Sequence, residues 1–290
     1  MQVAMRAAIQ VGYARNIVTN TALPQSLVVS ADDFGLCHEV NAGICHLYDR
    51  GVVSQTSLLA NSAIFEESLA ALRARPALRV GVHLNLTDGL PICPREQVPT
   101  LVTQAGEFAG GRHFMVSARL LSGRTKRDEV RAEWRAQLTR IVEAGITIRH
   151  LDGHGHMHLH PSVHEIVCEL MNDFAIDRIR LISSEASLRG RVLGPLSHRL
   201  LTKLHQRGIA ATHPARVLGL AGTGHLTATR LRRELSQRWS GEGELVTHPA
   251  LGANARHRAW GFDGESEISG LLDPEVAQRL QALSPQRKPA

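Results

Sequence analysis

The sequence predicts an α/β fold built on a parallel sheet. Two observations carry this: short apolar runs alternate with helix-periodic segments from Leu27 onward, and unusual polar residues sit just after several of those runs. The 290 residues are 43% apolar, 21% charged and 4% aromatic, which suits a soluble globular chain of one large or two small domains. Residues 1–26 contain no acid and no clean signal-peptide core, and are read as a loose extension. The body spans 27–284 and the last six residues, 285–290, are a frayed tail.

The strand candidates, in order, are Leu27–Ser30, Arg79–Leu84, Thr147–Leu151, Arg178–Ile182, Ala215–Leu218 and Glu244–Thr247. Most are too short and apolar to be exposed edges. Between them, Val40, Ile44, Leu47 and Tyr48 recur at helical spacing before Gly51. Val130, Trp134, Leu138, Ile141 and Val142 form a longer stripe ending at Gly145. A third helix follows Pro161, where Ser162 and Glu165 have capping-box spacing and Val163, Ile166, Val167, Leu170, Met171 and Phe174 form its buried face. The irregular stretch from Asp88 to Lys126 is long enough to be a functional insertion or lid.

Composition also excludes. No apolar run reaches the roughly 18 residues of a membrane-spanning helix. Cys37, Cys45, Cys93 and Cys168 are widely spaced with no C-x-x-C, so neither a zinc module nor a disulfide framework is expected, and a cytoplasmic home is the simplest. There is no G-x-S-x-G, P-loop or strand-following G-x-G-x-x-G, which argues against a serine hydrolase, an NTPase and a dinucleotide enzyme. The net charge of +6 is modest and indicates no nucleic-acid partner. The basic segment with Arg230, Arg232 and Arg233, beside Leu226, Leu231 and Leu235, is a candidate for peripheral contact with an anionic inner-membrane surface, against the plainer alternative of a solvated helix packed on the core.

The chemistry-bearing residues fall at the carboxyl ends of separate strand candidates, where loops of parallel α/β folds converge over one crevice. Asp32 and Asp33 follow the first strand, and adjacent carboxylates repel unless a cation or proton is shared, so a metal ligand beside a general base is expected. An Asp capping the next helix is the alternative. His83 closes the second strand. The run from His150 to His160 holds five of the chain's 16 histidines together with Asp152, a density that favours a divalent metal or proton-transfer site. A catalytic zinc-type site uses three protein ligands and leaves a position for water, so one Asp and two His would suffice. His248, after the last strand, is then available as a general acid or transition-state stabiliser.

Together the segments SADDFGL with Asn41 to Ile44, GVVSQTSLLAN, VGVHLNLTDGLP, HLDGHGHMHLHP and ELVTHPAL resemble the YdjC-like carbohydrate deacetylases, from about Leu27 to Leu251. The resemblance implies a distorted TIM-like (β/α) barrel of parallel strands, as in polysaccharide-deacetylase-like folds, and removal of N-acetyl groups from amino sugars. It further implies one divalent metal ion, Mg2+ or Zn2+, on Asp33, His83 and His154, with Asp32 as the base. The glycines at 153 and 155 resemble the branch associated with hopanoid biosynthesis. That points to an N-acetylglucosaminyl hopanoid, a lipid-linked amino sugar, as substrate, and a homodimer is expected. Metal-dependent phosphoester hydrolysis, a chitooligosaccharide-type deacetylase and a non-catalytic lipid or sugar carrier are the competing readings.

Overall fold

The computed structural model describes residues 25–109, 119–120, 122–182 and 188–284. Nearly all of the N-terminal extension and the C-terminal tail, and part of the expected insertion, lie outside the described residues. Among those described, six parallel strands form one sheet: β1 (Ser26–Phe34), β2 (Gln55–Leu58), β3 (Arg79–Leu84), β4 (Leu151–Gly153), β5 (Arg216–Leu218) and β6 (Glu242–Thr247). Their order is β4-β3-β2-β1-β6-β5. The open side curls shut through single parallel bridges, Leu151 to Ile179 and Arg178 to Thr212. The expected parallel barrel is therefore present, and it is distorted because its closing segments pair through isolated bridges rather than full strands.

Helices α1 (His38–Asp49), α2 (Phe65–Arg73), α3 (Arg127–Glu143), α4 (His164–Asp173), α5 (Leu188–Gln206), α6 (Ala228–Leu235), α7 (Ala255–Trp260), α8 (Gly264–Leu271) and α9 (Pro274–Leu283) accompany the strands. The apolar stripes read from the sequence do face the core. Val40, Ile44 and Leu47 on α1 are fully buried, as are Val130, Trp134, Leu138 and Ile141 on α3. Val142 is the exception and is exposed, because it lies one residue past the stripe's face.

Several expectations change on the structure. The strand placed at Thr147–Leu151 forms instead at Leu151–Gly153, although Arg149 N–H still donates to the Val80 carbonyl and Val82 N–H to that of His150. No capping box forms at Ser162 and Glu165. A tight turn, Pro161–Val163, is capped by the His160 ring, which accepts from Ser162 N–H, and Glu165 pairs outward with Lys203 and Arg207. The described part of the long irregular stretch is no free lid: Glu133 accepts from the Ile92 and Cys93 N–H groups, and Glu129 accepts from Thr100 N–H at 2.6 Å, pinning it to α3. On the basic helix α6, Leu231 and Leu235 are buried, as is the preceding Leu226, and Arg232 pairs with Asp273 at 2.9 Å. That helix has no free apolar face to offer a bilayer, and no helix among the described residues is long and apolar enough to cross one.

Strand β2 lies outside the six expected strands, for a physical reason. Its residues Gln55, Thr56 and Ser57 are polar, yet all are buried, and each is bonded to neighbouring strands or to groups inside the barrel. An apolar-run criterion misses a strand that lines a polar interior.

Candidate active site

The barrel interior is polar because one parity of residues on each strand faces inward. Ser30 and Asp32 on β1, Gln55 and Ser57 on β2, His83 on β3, Asp152 on β4 and Glu244 on β6 are all buried, together with His150 and Arg180. Arg180 is the hub. Its guanidinium contacts Asp32 at 2.6 and 2.8 Å, Glu244 at 2.7 and 2.9 Å, and Asp152 at 2.9 Å. The cation that keeps Asp32 beside Asp33 is thus this arginine, a residue the sequence reading placed only within a strand candidate. The one available signal was a basic residue inside an otherwise apolar strand.

Asp33 leaves that parity. It adopts φ 68°, the left-handed region that Asp tolerates better than most residues, and the β1–β2 register shifts between Ala31 and Phe34. The irregularity lets the two adjacent carboxylates serve different partners. Asp33 Oδ1 lies 2.7 Å from His154 Nδ1 and 3.1 Å from His83 Nε2. One ligand atom from each of Asp33, His83 and His154 falls within 4.8 Å of the others, and all three side chains are buried. A carboxylate and two imidazoles so placed can hold one metal ion. The far nitrogen of His83 supports this, because Nδ1 meets Asp152 Oδ1 at 2.6 Å, the carboxylate–imidazole arrangement that orients metal ligands. Burial opposes charge on His83, yet the Asp152 and Asp33 carboxylates push its pKa up to about 10, a negative field in which a cation could take the place of the proton. Burial also raises the Asp32 carboxyl against the pull of Arg180, while Asp152 is held well below the carboxylate range by Arg180 and His83, which outweigh burial.

Of the histidine-rich run, the structure brings His154 to Asp33. His150 lies beneath the site, 3.0 Å from Ser57 Oγ, and Gly81 makes room for it: a Cβ there would stand 2.2 Å from the imidazole. His158 Nε2 donates to the Arg180 carbonyl at 2.8 Å, and burial pushes it down to about 4. His160 caps the following turn. These three serve the scaffold.

His248 follows β6 and is buried. Its N–H donates to Glu267 at 2.6 Å, its Nδ1 has no partner, and burial pushes the ring down to about 3, against the nearby Asp33 charge. It is a neutral imidazole at ordinary pH. The motif around Asn41 positions this loop. Asn41 Oδ1 accepts from Gly35 N–H at 2.6 Å, and at Gly43 a Cβ would come within 2.8 Å of the Ala250 backbone. At the rim, Asn85 and Asn61 shape the turn carrying Asp88, whose carboxylate is 3.8 Å from His154 Nε2 and paired with Arg256. Arg256, His257 and Trp260 also escaped the sequence reading, being on a short helix without a motif, and Asp88, although inside the segment VGVHLNLTDGLP, carries no signal of its role there.

Comparison with known proteins follows the same lines. The profile described as YdjC-like protein matches residues 26–282. A carbohydrate deacetylase of Brevibacillus brevis is 37% identical over 150 residues, covering 52% of this chain and 57% of the relative. One of Danio rerio is 39% identical over 156 residues, covering 53% and 49%. The chain thus spans about half the length of the curated relatives it matches. A solved structure from Enterococcus faecalis V583, a protein provisionally named for cellobiose-phosphate cleavage, is 26% identical with a TM-score of 0.70, covering 89% of this chain and 94% of that one.

Proposed function

This chain belongs to the YdjC-like family, and from that premise we propose that it is a metal-dependent deacetylase that hydrolyses the N-acetyl group of an amino sugar. The observation that carries the reading is the convergence of Asp33, His83 and His154 beside Asp32, with His83 backed by Asp152. Those three residues would hold one divalent cation, zinc or magnesium, which would supply carbonyl polarisation and a more acidic water.

The protein groups divide the remaining work. Asp32, held by Arg180, takes a proton from the attacking water, whose oxygen bonds to the acetyl carbon. The C–N bond then breaks, acetate forms, and the proton taken from water finishes on the departing amine. His248, neutral and buried, donates a hydrogen bond to the developing charge and steadies the leaving group. Arg180 and Asp152 fix the orientations of Asp32 and His83 throughout.

The finer substrate is an N-acetylglucosaminyl hopanoid. It rests on the sequence resemblance alone. The Enterococcus neighbour's name keeps sugar-phosphate cleavage as a second reading. One experiment addresses both: chelate the protein, reconstitute it with zinc or magnesium, and assay acetate release from N-acetylglucosaminyl substrates beside phosphate release from phospho-sugars. Acetate release restored by a single metal supports the proposal. Full activity after exhaustive chelation, or phosphate release alone, refutes it.

A further inference from the structure

We propose that Trp260 is the platform on which the substrate's sugar ring rests, making this side chain the chief source of saccharide affinity at the site. The proposal builds on the reading of the site as one that acts on an acetylated sugar. Trp260 ends α7, and its ring centroid lies 5.0 Å from that of His154, one of the three residues that converge with Asp33 and His83. It remains only half-buried there. The other two tryptophans are committed elsewhere: Trp134 is fully buried in the core, and Trp239 donates to the Ser26 carbonyl at the opposite end of β1.

The indole is firmly held. Phe262 and His257 back it at 5.7 and 6.0 Å. Asn254 caps α7 through His257 N–H at 2.7 Å, Asp263 N–H donates to the Gly224 carbonyl at 2.8 Å, and Arg256 pairs with Asp88. A preformed aromatic surface loses little entropy when a ligand covers it. Its surroundings select the ligand's chemistry. His154 lies against the indole, and Asp88, 3.8 Å from His154 Nε2, pairs with Arg256 one turn before Trp260 on α7, so polar groups stand near an apolar ring, which matches a pyranose, with its C–H face and its rim of hydroxyls, better than a wholly apolar molecule.

The test titrates the full-length, metal-reconstituted chain with the three-unit N-acetylglucosamine oligomer, following tryptophan fluorescence and calorimetry, and measures acetate release in parallel. Trp260→Ala should weaken binding roughly tenfold or more, the size that about 1.4 kcal/mol of aromatic contact gives. KM should rise with kcat little changed, and Trp260→Phe should recover part of the loss. The fluorescence response should vanish in Trp260→Phe and persist in Trp239→Phe. Equal affinity in the Trp260 variants at unchanged melting temperature overturns the platform, as does a wild type that fails to bind the oligomer. Trp260-dependent binding without acetate release from either the oligomer or an N-acetylglucosaminyl lipid would instead sink the deacetylase reading and leave the sugar platform standing.

Discussion

Replacing Arg180 by Ala tests whether one guanidinium neutralises the barrel interior. The side chain is wholly buried and touches three buried carboxylates, Asp32, Asp152 and Glu244, at 2.6 to 2.9 Å. Deleting one partner of a buried ion pair costs about 3–5 kcal/mol. Here one deletion strips three carboxylates, but protonation of Asp32, already favoured by its burial, relieves part of the repulsion. The expected loss is therefore about 4 kcal/mol. At about 2–4 °C per kcal/mol for a domain of this size, the melting temperature should fall by roughly 8–16 °C. Urea unfolding followed by circular dichroism, beside scanning calorimetry at pH 7, measures it. Glu244→Gln removes one of the three negative charges, so the double variant should be less destabilised than the sum of the singles, by about 1–2 kcal/mol. Arg180→Lys should not restore the wild type, since one ammonium cannot span all three partners. If Arg180→Ala costs under about 1 kcal/mol, or the double variant is simply additive, Arg180 does not balance the three carboxylates.

Other expectations follow from single contacts. Asp33→Ala should lose bound metal, read by elemental analysis, and activity with it; Asp33→Asn, which tolerates the left-handed backbone, separates ligand loss from strain. Asp32→Asn should keep the metal while turnover drops by about a hundredfold to ten-thousandfold, and metal loss in that variant would make it a ligand instead. Gly81→Ala forces a Cβ to within 2.2 Å of the His150 ring and should cost about 1–3 kcal/mol, visible as a lower melting temperature. His158 gives a pH signature. Its folded pKa, pushed by burial to about 4, lies below the ordinary 6.5, so the unfolded chain binds the extra proton. The stability tied to it is complete above 6.5 and is lost as pH falls toward 4, by about 3 kcal/mol. Melting curves between pH 7 and 4 should show this slope, to which the likewise depressed His248 adds, and His158→Gln should remove only the share of His158.

The sequence by itself determined the class of fold and singled out several polar residues that come together at its strand ends. Alternating apolar runs and helical stripes fix an α/β order, because burial of one face per helix and both faces per strand leaves a pattern in the chain. Polar residues at strand ends also announce themselves, and Asp33, His83 and His154 do meet. What lies inside the barrel was not legible. A buried polar network violates the apolar rule that makes strands readable, which is why β2 passed unseen. Arg180 is 148 residues from Asp32 in the chain, so their pairing exists only once the barrel closes. The same holds for the separation of Asp32 from Asp33: adjacent in sequence, they are sent to different partners by one left-handed residue and a register shift. Trp260 reaches His154 across 106 residues because the loop after β6 folds back over the strand ends, a distance no local pattern encodes. Local physics writes itself into the sequence, while the sharing of charge among groups from six segments is decided by tertiary geometry alone.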